Sequence, residues 1–564
     1  YAAMDASAGT GGGQNVFMGK NAGGGTWTTG ACNYNVGIGS EALAGALALS
    51  SGTIAIGYQA LTALTSGAGN VAIGYQCGDS LTTGVSNTFI GYQTGSAVTN
   101  NNNNTYVGYN SGLQNTGEKN VAVGNHTIKN GSGAGSHNTA LGSSALYGLT
   151  SGEKNIAIGV EALHDVTDGE NNIAIGYNAG DAMTSSVGCI LIGNNAGGAI
   201  NHGDADGTIA IGYQAGMSIT EGQKNTAIGY EALQDVTTAD SNTIVGYQAG
   251  KELTTGNNNI AIGVGALATH VTGINNVAIG FGAMTNTDAG NNSNDSDYNV
   301  FIGWASGNGT WTDAKSEYNT ALGGASMAGN LEGAVYNVSL GYRSSESLTA
   351  GDANTVAGGI AGANITTGLA NTCIGYNSAT TLTTGRYNTY IGRDANASAS
   401  GVEDEIVLCA GVGGLAGAGT ETVRIGVDSD YITNDFGENA TWTHSSDRRI
   451  KKDIENSELG LDFINDLRPV TFKKKAPSEY PQEFEQHDSS VTERKNPDRK
   501  HYGFIAQEVK DAMDKAGHSE FPVWKENKDG MQELGETELI TPLIKAVQEL
   551  SAEVKSLKKQ LEEK

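Results

Sequence analysis

Hydrophobic residues and glycines recur along most of the chain in a step that repeats about 22 times between Gly19 and Gly392. A typical step reads Asn-x-Ala-Ile-Gly-Tyr, and the commonest spacing between its glycines is 17 residues. A unit this short cannot bury an apolar face alone, whereas a stack of units can. The period predicts a mostly β protein with a β-solenoid or β-roll shaft over residues 14–395. Residues 1–13 are interpreted as the remainder of a longer or processed chain.

Within each step the apolar residues alternate as they do in a β-strand. In the copy at residues 155–160, Ile156, Ile158 and Val160 share one face, while Ala157 and Gly159 share the other. We expect the large aliphatic face to point into the coil. The small face would allow another backbone to approach closely, which suggests that several rods pack side by side. With one coil per step and about 4.8 Å per strand, the shaft would be on the order of 100 Å long.

Two polar positions also follow the repeat. Asn stands four residues before the glycine in 19 of the 22 steps, and Tyr follows the glycine in ten. Stacked Asn side chains can hydrogen-bond as a ladder, although Asn also suits a turn. The Tyr residues are interpreted mainly as packing residues, with a platform for stacking sugars as the alternative.

Tryptophans mark places where the rhythm breaks. Trp27 and Trp311 each lie in a Gly-Thr-Trp-Thr insert, and Trp304 is close to the second insert. Insertions in solenoids form surface loops, and exposed tryptophan often anchors a ligand. Trp27, Trp304 and Trp311 are therefore candidate receptor-binding residues. The alternative is that each indole fills a distorted coil.

Composition changes near residue 445. All six prolines and only 5 of the 83 glycines follow it. Residues 1–445 carry 11 Lys and Arg against 34 Asp and Glu, whereas residues 446–564 carry 21 against 25. An acidic shaft argues against nucleic acid as a partner. We assign residues 396–445 to a β-rich neck and residues 446–564 to an α+β domain.

The sequence indicates neither a membrane-spanning segment nor a metal or redox site. It has no apolar run long enough to span a membrane. The five cysteines are scattered singly, without the spacing of a metal or redox site, and are interpreted as small buried hydrophobes. We therefore expect no metal, no cofactor and no membrane insertion.

The end of the chain has a seven-residue apolar repeat on a segment rich in Glu and Lys, which predicts a coiled coil over residues 540–564. Mixed Val, Ile and Leu residues leave the number of strands open. The candidate trimerisation residues are Ile540, Leu543, Val547, Leu550, Val554, Leu557 and Leu561.

Three motifs occur in order before this segment. They read Ser-Asp-Arg-Arg-Ile-Lys-Lys-Asp-Ile from Ser446, Leu-Arg-Pro-Val from Leu467, and Tyr-Gly-Phe-Ile-Ala-Gln-Glu-Val from Tyr502. Residues 446–564 thus closely resemble the C-terminal intramolecular chaperone of phage tailspikes and tail fibres, the endosialidase type. The shaft resembles the β-roll heads of trimeric adhesins. The resemblance implies a parallel homotrimer whose C-terminal domain aligns three chains, directs their folding and then removes itself.

The same resemblance implies a cleavage site. The scissile bond would join Ser445 and Ser446, with Ser446 as nucleophile and Lys451 as general base, acting in cis and without turnover of an external substrate. We expect a tail fibre of a phage virion, made in the host cytoplasm, that binds a glycan or outer-membrane protein of the host. Other tail proteins would bind its N-terminal end. The alternatives are a bacterial trimeric surface adhesin and a tailspike that degrades glycans.

Overall fold

The chain forms two compact units, Tyr1–Ser445 and Ser446–Lys564. They divide at the place where the composition changes. A computed structural model describes residues 13–27, 32–130, 133–201, 203–287, 295–311, 314–411, 413–428, 430–437, 439–444, 447–484, 486–494 and 497–564.

Each coil of the first unit contributes one strand of three residues, which alternates between outward and inward side chains. These strands are β1 (Val16–Met18), β2 (Val36–Ile38), β3 (Ile54–Ile56), β4 (Val71–Ile73), β5 (Thr88–Ile90), β6 (Thr105–Val107), β7 (Val121–Val123), β8 (Thr139–Leu141), β9 (Ile156–Ile158), β10 (Ile173–Ile175), β11 (Ile190–Ile192), β12 (Ile209–Ile211), β13 (Thr226–Ile228), β14 (Thr243–Val245), β15 (Ile260–Ile262), β16 (Val277–Ile279), β17 (Val300–Ile302), β18 (Thr320–Leu322), β19 (Val338–Leu340), β20 (Thr355–Ala357), β21 (Thr372–Ile374) and β22 (Thr389–Ile391).

Neighbouring coils pair their strands in parallel and in register, so that Ile173 lies beside Ile190. The parallel ladder continues past β22 through β24 (Ile406–Ala410) and β26 (Thr422–Val427). Antiparallel pairing with β27 (Asp430–Asp435) and then β28 (Asn439–His444) follows. The two short strands β23 (Ala395–Asn396) and β25 (Leu415–Ala416) pair separately. The predicted mostly β solenoid is confirmed.

The side chains of each strand face the opposite way from our expectation. Ala157, at the centre of β9, is fully buried, whereas Ile156 is exposed and Ile158 is partly exposed. The prediction that the large aliphatic face points into the coil is therefore wrong. A coil built around a single three-residue strand is narrow, and its interior accepts alanine at the strand centre because Leu163, beyond the turn, supplies the remaining apolar volume.

In many coils, two core positions six residues apart are filled in a complementary way. Where the strand centre is alanine, as at Ala157, the second position often holds leucine, as at Leu163. Where the centre is the aromatic Phe89, the second position is Gly95, and a Cβ placed there would lie 2.9 Å from the Phe89 ring. In these coils a large residue at one position is thus matched by a small residue at the other.

The repeated glycine is required by contact between coils. Gly159 has a φ of +139°, and a Cβ built on it would lie 2.2 Å from the carbonyl oxygen of Gly176 in the next coil. No side chain fits there, and L-residues rarely adopt that backbone conformation. The close backbone approach that we expected between rods is therefore an approach between coils of one chain.

The asparagine that repeats at one position of the coil forms the expected ladder. The Asn87 backbone N–H donates to Asn70 Oδ1 at 3.0 Å, and the Asn87 side-chain amide donates to the Asn101 carbonyl at 2.9 Å. Asn70 and Asn87 are fully buried. Each side chain therefore joins two coils and also closes the turn of its own coil.

The second unit is an α+β domain. Its elements are α1 (Leu461–Asp466), β29 (Val470–Phe472), β30 (His501–Gly503), α2 (Ala506–Lys515), β31 (Trp524–Glu526), β32 (Gln532–Leu534) and α3 (Ile540–Glu562). Two antiparallel pairs form, β29 with β30 and β31 with β32. Phe463, Val509 and Met513 lie in its small core. Among the helices of the described residues, none is long and apolar enough to cross a membrane.

Candidate processing site and exposed faces

The predicted scissile bond lies at the junction of the two units. Ser445 and Ser446 lie outside the described residues. The residues on either side are described: β28 ends at His444, and the second unit resumes at Asp447. The structure therefore describes the chain of the first unit up to His444 and the chain of the second unit from Asp447, each by itself.

A short capped turn follows the predicted nucleophile. Asp447 accepts a hydrogen bond from the Arg449 backbone N–H at 2.8 Å and caps a 3-10 helix at Arg448–Ile450. The backbone N–H of Lys451 donates to the Arg448 carbonyl at 3.2 Å and closes the turn. An extended strand would place residues 446 and 451 on opposite faces. The described residues depart from an extended strand at Arg448–Ile450, before Lys451.

Charge is concentrated in this turn. The Arg449 guanidinium lies 2.7 Å from the Asp447 carboxylate and holds the pKa of Asp447 below its usual value. Arg448, Lys451 and Lys452 are also exposed on the same short segment. Nearby cations and loss of solvent are what a lysine needs to act as a base. Within one chain the segment provides the cations, while Lys451 remains open to solvent.

Helix α3 leaves its apolar seam uncovered. Its Pro542 and Ala546 are buried, and Glu549 accepts a hydrogen bond from the Leu461 backbone N–H at 2.7 Å, so this side packs on the domain. The predicted trimerisation residues lie elsewhere on the helix and are between 42% and 74% exposed: Ile540, Leu543, Val547, Leu550, Val554, Leu557 and Leu561.

A second apolar face follows the shaft. The residue just before each ladder glycine lies on the outer face of its strand, and in nearly every coil it is Ile, Val or Leu, as at Ile73, Ile90 and Ile175. We call this column the aliphatic stripe. Several members, Ile90 among them, are more than a third exposed. The sequence alone does not reveal this stripe, because alternation predicts which residues share a strand face but not which face is outside.

The three candidate tryptophans occupy different environments. Trp311 is fully buried, with its ring 5.7 Å from that of Phe301, so it fills a coil and cannot present its indole to a receptor. Trp27 is partly buried and packs edge-on against Phe17 at 5.5 Å. Trp304 is exposed. The alternative that the tryptophans fill distorted coils fits Trp311 and Trp27.

Trp304 shares its position with the repeated tyrosines. It directly follows ladder glycine Gly303, as Tyr75 follows Gly74. Tyr75 and Tyr92 are exposed and stack on each other at 5.1 Å. Where tyrosines occupy this position in successive coils, they form exposed columns of rings, which differs from our interpretation of them mainly as packing residues.

Four of the five cysteines behave as small core residues, whereas Cys409 is only partly buried. Cys77, Cys189 and Cys373 are buried, and burial raises their thiol pKa values to about 12, 11 and 12. All five cysteines are free thiols. Among the described residues, no three His, Cys, Asp or Glu side chains come together in a way that would hold a metal ion.

Comparison with known families identifies part of the second unit. Residues 446–518 match the family described as chaperone of endosialidase. No curated protein and no solved structure matches the chain. The matched segment begins at the residue predicted as the nucleophile and ends before α3. The chain therefore carries a chaperone-of-endosialidase domain near its C-terminus, after a β-solenoid shaft.

Proposed function

We propose that this chain is a trimeric phage tail fibre protein whose C-terminal domain aligns three chains and then removes itself. The observation that carries the proposal is the uncovered apolar seam of α3, in the unit that matches the chaperone of endosialidase. Seven exposed aliphatic residues at heptad spacing are stable in water only when other helices cover them. Three copies of the same helix satisfy that need.

The shaft supports the same assembly. Its aliphatic stripe is far longer than the apolar patches that monomeric proteins leave exposed. Because the coils are so similar, two chains can pair with a slip of one coil at little cost. A coiled coil at the C-terminal end fixes the register before the stripes meet. The aliphatic stripes of the three copies then pair with matching coils side by side.

Cleavage follows from the residues around the junction. The Ser446 Oγ attacks the carbonyl carbon of Ser445 while Lys451 Nζ takes the hydroxyl proton. The peptide nitrogen of Ser446 leaves as an amine, which gains a proton, and an ester joins Ser445 to Ser446 Oγ. Water then hydrolyses the ester and releases the two products. A serine hydroxyl needs such a base, and burial of the Lys451 ammonium between chains of the trimer would favour its neutral form.

Removal of the domain gives the fibre kinetic stability. Once the aligning domain has left, the trimeric shaft cannot readily reassemble after unfolding, so unfolding becomes irreversible. The mature shaft would lie on the virion, attached through its N-terminal end to other tail proteins, and would contact a receptor on the host surface. The acidic balance of the shaft keeps it soluble and disfavours nucleic acid as a partner.

Intact mass and denaturing gels of the purified full chain test the cleavage. Wild type should yield fragments of 445 and 119 residues. Ser446→Ala and Lys451→Met should stay whole, whereas the neighbouring Lys452→Met should still be cut. A wild-type chain that folds and stays whole contradicts the autoprocessing proposal. Native mass of Ser446→Ala separates a trimer from a monomer, and a monomer contradicts the assembly proposal.

A further inference from the structure

The residues that directly follow the ladder glycines form one column along the shaft, which we call the aromatic row. In two stretches of this row the rings of successive coils stack on each other without a gap, and we call such a stretch a closed column. Tyr75 and Tyr92 stack at 5.1 Å with 6° between their planes, and Tyr213, Tyr230 and Tyr247 stack at 5.0 and 5.2 Å. In such a column each ring face contacts the next ring, so only the ring edges face solvent.

The C-terminal part of the row is built differently. There Trp304, Tyr342 and Tyr376 alternate with Gly324 and Gly359 on successive coils, as the strand registers show. Within the described part of the chain, none of these three rings stacks on another aromatic ring. Trp304 is 58% exposed and Tyr342 57%, against 42% for Tyr75 in a closed column.

The two glycines leave slots between the rings. A Cβ placed on Gly359 would meet only the Tyr376 ring, at 3.5 Å, and one placed on Gly324 would lie 3.4 Å from the Tyr342 ring and 3.8 Å from the Trp304 carbonyl. Both are ordinary contacts, and neither glycine has a left-handed backbone. Neither is thus required by the fold, unlike the ladder glycines. Their effect is to keep accessible the ring faces that point toward the two glycines.

We propose that this part of the aromatic row binds an extended linear polysaccharide lying along the shaft, with alternate sugars against Trp304, Tyr342 and Tyr376. Two coils advance by about 10 Å, roughly the length of a disaccharide in an extended chain. Sugars present apolar C–H faces to aromatic rings and hydroxyl groups to their surroundings. The inference rests on the proposed receptor-binding function and names its site and ligand class.

Polar groups suited to sugar hydroxyls flank the open rings. The Arg393 guanidinium lies over the Tyr376 ring, 5.8 Å from its centroid, and Arg393 also pairs with Asp394 at 3.2 Å. Asn377 donates to Asp394 at 2.5 Å. Arg343, beside Tyr342, pairs with Glu346 at 2.7 Å. These groups can donate to hydroxyls and accept from them while their charges stay balanced.

Calorimetric titration of the purified full-chain protein with cellohexaose and chitohexaose tests the site. We expect wild type to bind at least one of these β-linked hexasaccharides. Trp304→Ala should weaken the affinity at least tenfold. The double variant Gly324→Tyr/Gly359→Tyr, which fills the slots and closes the column, should do the same. Tyr92→Ala, in a closed column, is the matched control and should change the affinity less than twofold.

Two results overturn the proposal: wild type binds neither hexasaccharide, or the slot-filled variant binds as wild type does. Intact and native mass are measured on the same samples. Cleaved trimers that bind no sugar show that only this inference is wrong, whereas samples without cleaved trimers contradict the proposed function itself. Equal adsorption of wild type and the slot-filled variant to host cells would instead indicate a receptor outside the aromatic row.

Discussion

Tyr390 donates its hydroxyl hydrogen to a carboxylate oxygen of Glu405 at 2.9 Å, and both side chains are buried where the asparagine ladder stops. Glu405 takes the ladder position of asparagine, because its backbone N–H donates to Asn388 Oδ1 at 2.9 Å. Its carboxylate also accepts from the backbone N–H groups of Ser398 at 3.1 Å and Gly419 at 2.8 Å. Burial and the adjacent carboxylate raise the pKa of Tyr390, which keeps its hydroxyl a donor.

We expect Glu405→Gln to open the C-terminal end of the solenoid. Both carboxylate oxygens accept hydrogen bonds, and glutamine would replace one oxygen with an amide donor that faces another donor. The local cost should be about 2 to 4 kcal/mol. Hydrogen exchange at the Ser398 and Gly419 backbone N–H groups measures it. Asp404→Asn, at the exposed neighbouring residue, is the control and should leave both rates unchanged.

Two adjacent glycines should respond oppositely to alanine. At Gly358, φ is +144° and a Cβ would lie 2.3 Å from the Gly375 carbonyl oxygen, whereas at Gly359 the nearest atom lies at 3.5 Å on the Tyr376 side chain. Gly358→Ala should destabilise the local coils by at least about 3 kcal/mol. Gly359→Ala should be neutral or slightly stabilising. Limited proteolysis and thermal unfolding compare the two variants, and equal effects would show that contact between coils does not determine the repeated glycine.

The sequence predicts the solenoid because apolar residues that recur at a regular spacing can all be buried only if the repeats stack on each other. It also predicts the asparagine ladder, since a side chain that repeats with the coil must stack on itself. It does not reveal which strand face is inside, because period-two alternation shows only which residues share a face. The missed signal is Leu163, six residues beyond Ala157, which supplies the volume that a core of alanines lacks.

The candidate processing site was predicted less completely. The motif from Ser446 to Ile454 indicated the residue types, but the sequence does not show the turn at Arg448–Ile450, which depends on the Asp447 cap. The environment of the tryptophans likewise could not be predicted from the sequence. Trp311 and Trp304 are seven residues apart, and only the register of the coils places one inside and the other in the aromatic row.

The aliphatic stripe should be an interface between copies of this chain. Ile90 and Val85 are both β-branched and similarly exposed, but only Ile90 belongs to the stripe. We expect Ile90→Asp to weaken association along the shaft while its coil stays folded, since the side chain already points outward. Val85→Asp, on another face, should have little effect. Analytical ultracentrifugation and protease resistance of the processed shaft measure the difference, and equal behaviour of the two variants would exclude the stripe as the interface.

His270 should make one region of the shaft sensitive to acid. The imidazole is fully buried. Its Nε2 accepts a hydrogen bond from the Asn276 side-chain amide at 3.1 Å, and its Nδ1 donates one to Thr287 Oγ1 at 2.9 Å. The negative charge of Asp295 favours the protonated imidazole. Burial lowers its pKa to about 4 and outweighs the opposing effects of a hydrogen bond with the Gly273 backbone and of the Asp295 carboxylate. In the unfolded chain a histidine takes up a proton near pH 6.5.

The sign of the effect follows from proton binding. Between about pH 6.5 and 4 the unfolded chain binds more protons than the folded chain, so the free energy of unfolding falls as the pH falls through this range. The contribution is fully present above pH 6.5, and the loss approaches about 3 kcal/mol near pH 4. Hydrogen exchange across β15 and β16 at pH 7.5 and 4.5 measures it. His270→Gln should remove most of the dependence, whereas His137→Gln, at an exposed histidine, should retain it. Equal pH dependence in wild type and His270→Gln would assign the acid sensitivity to other groups.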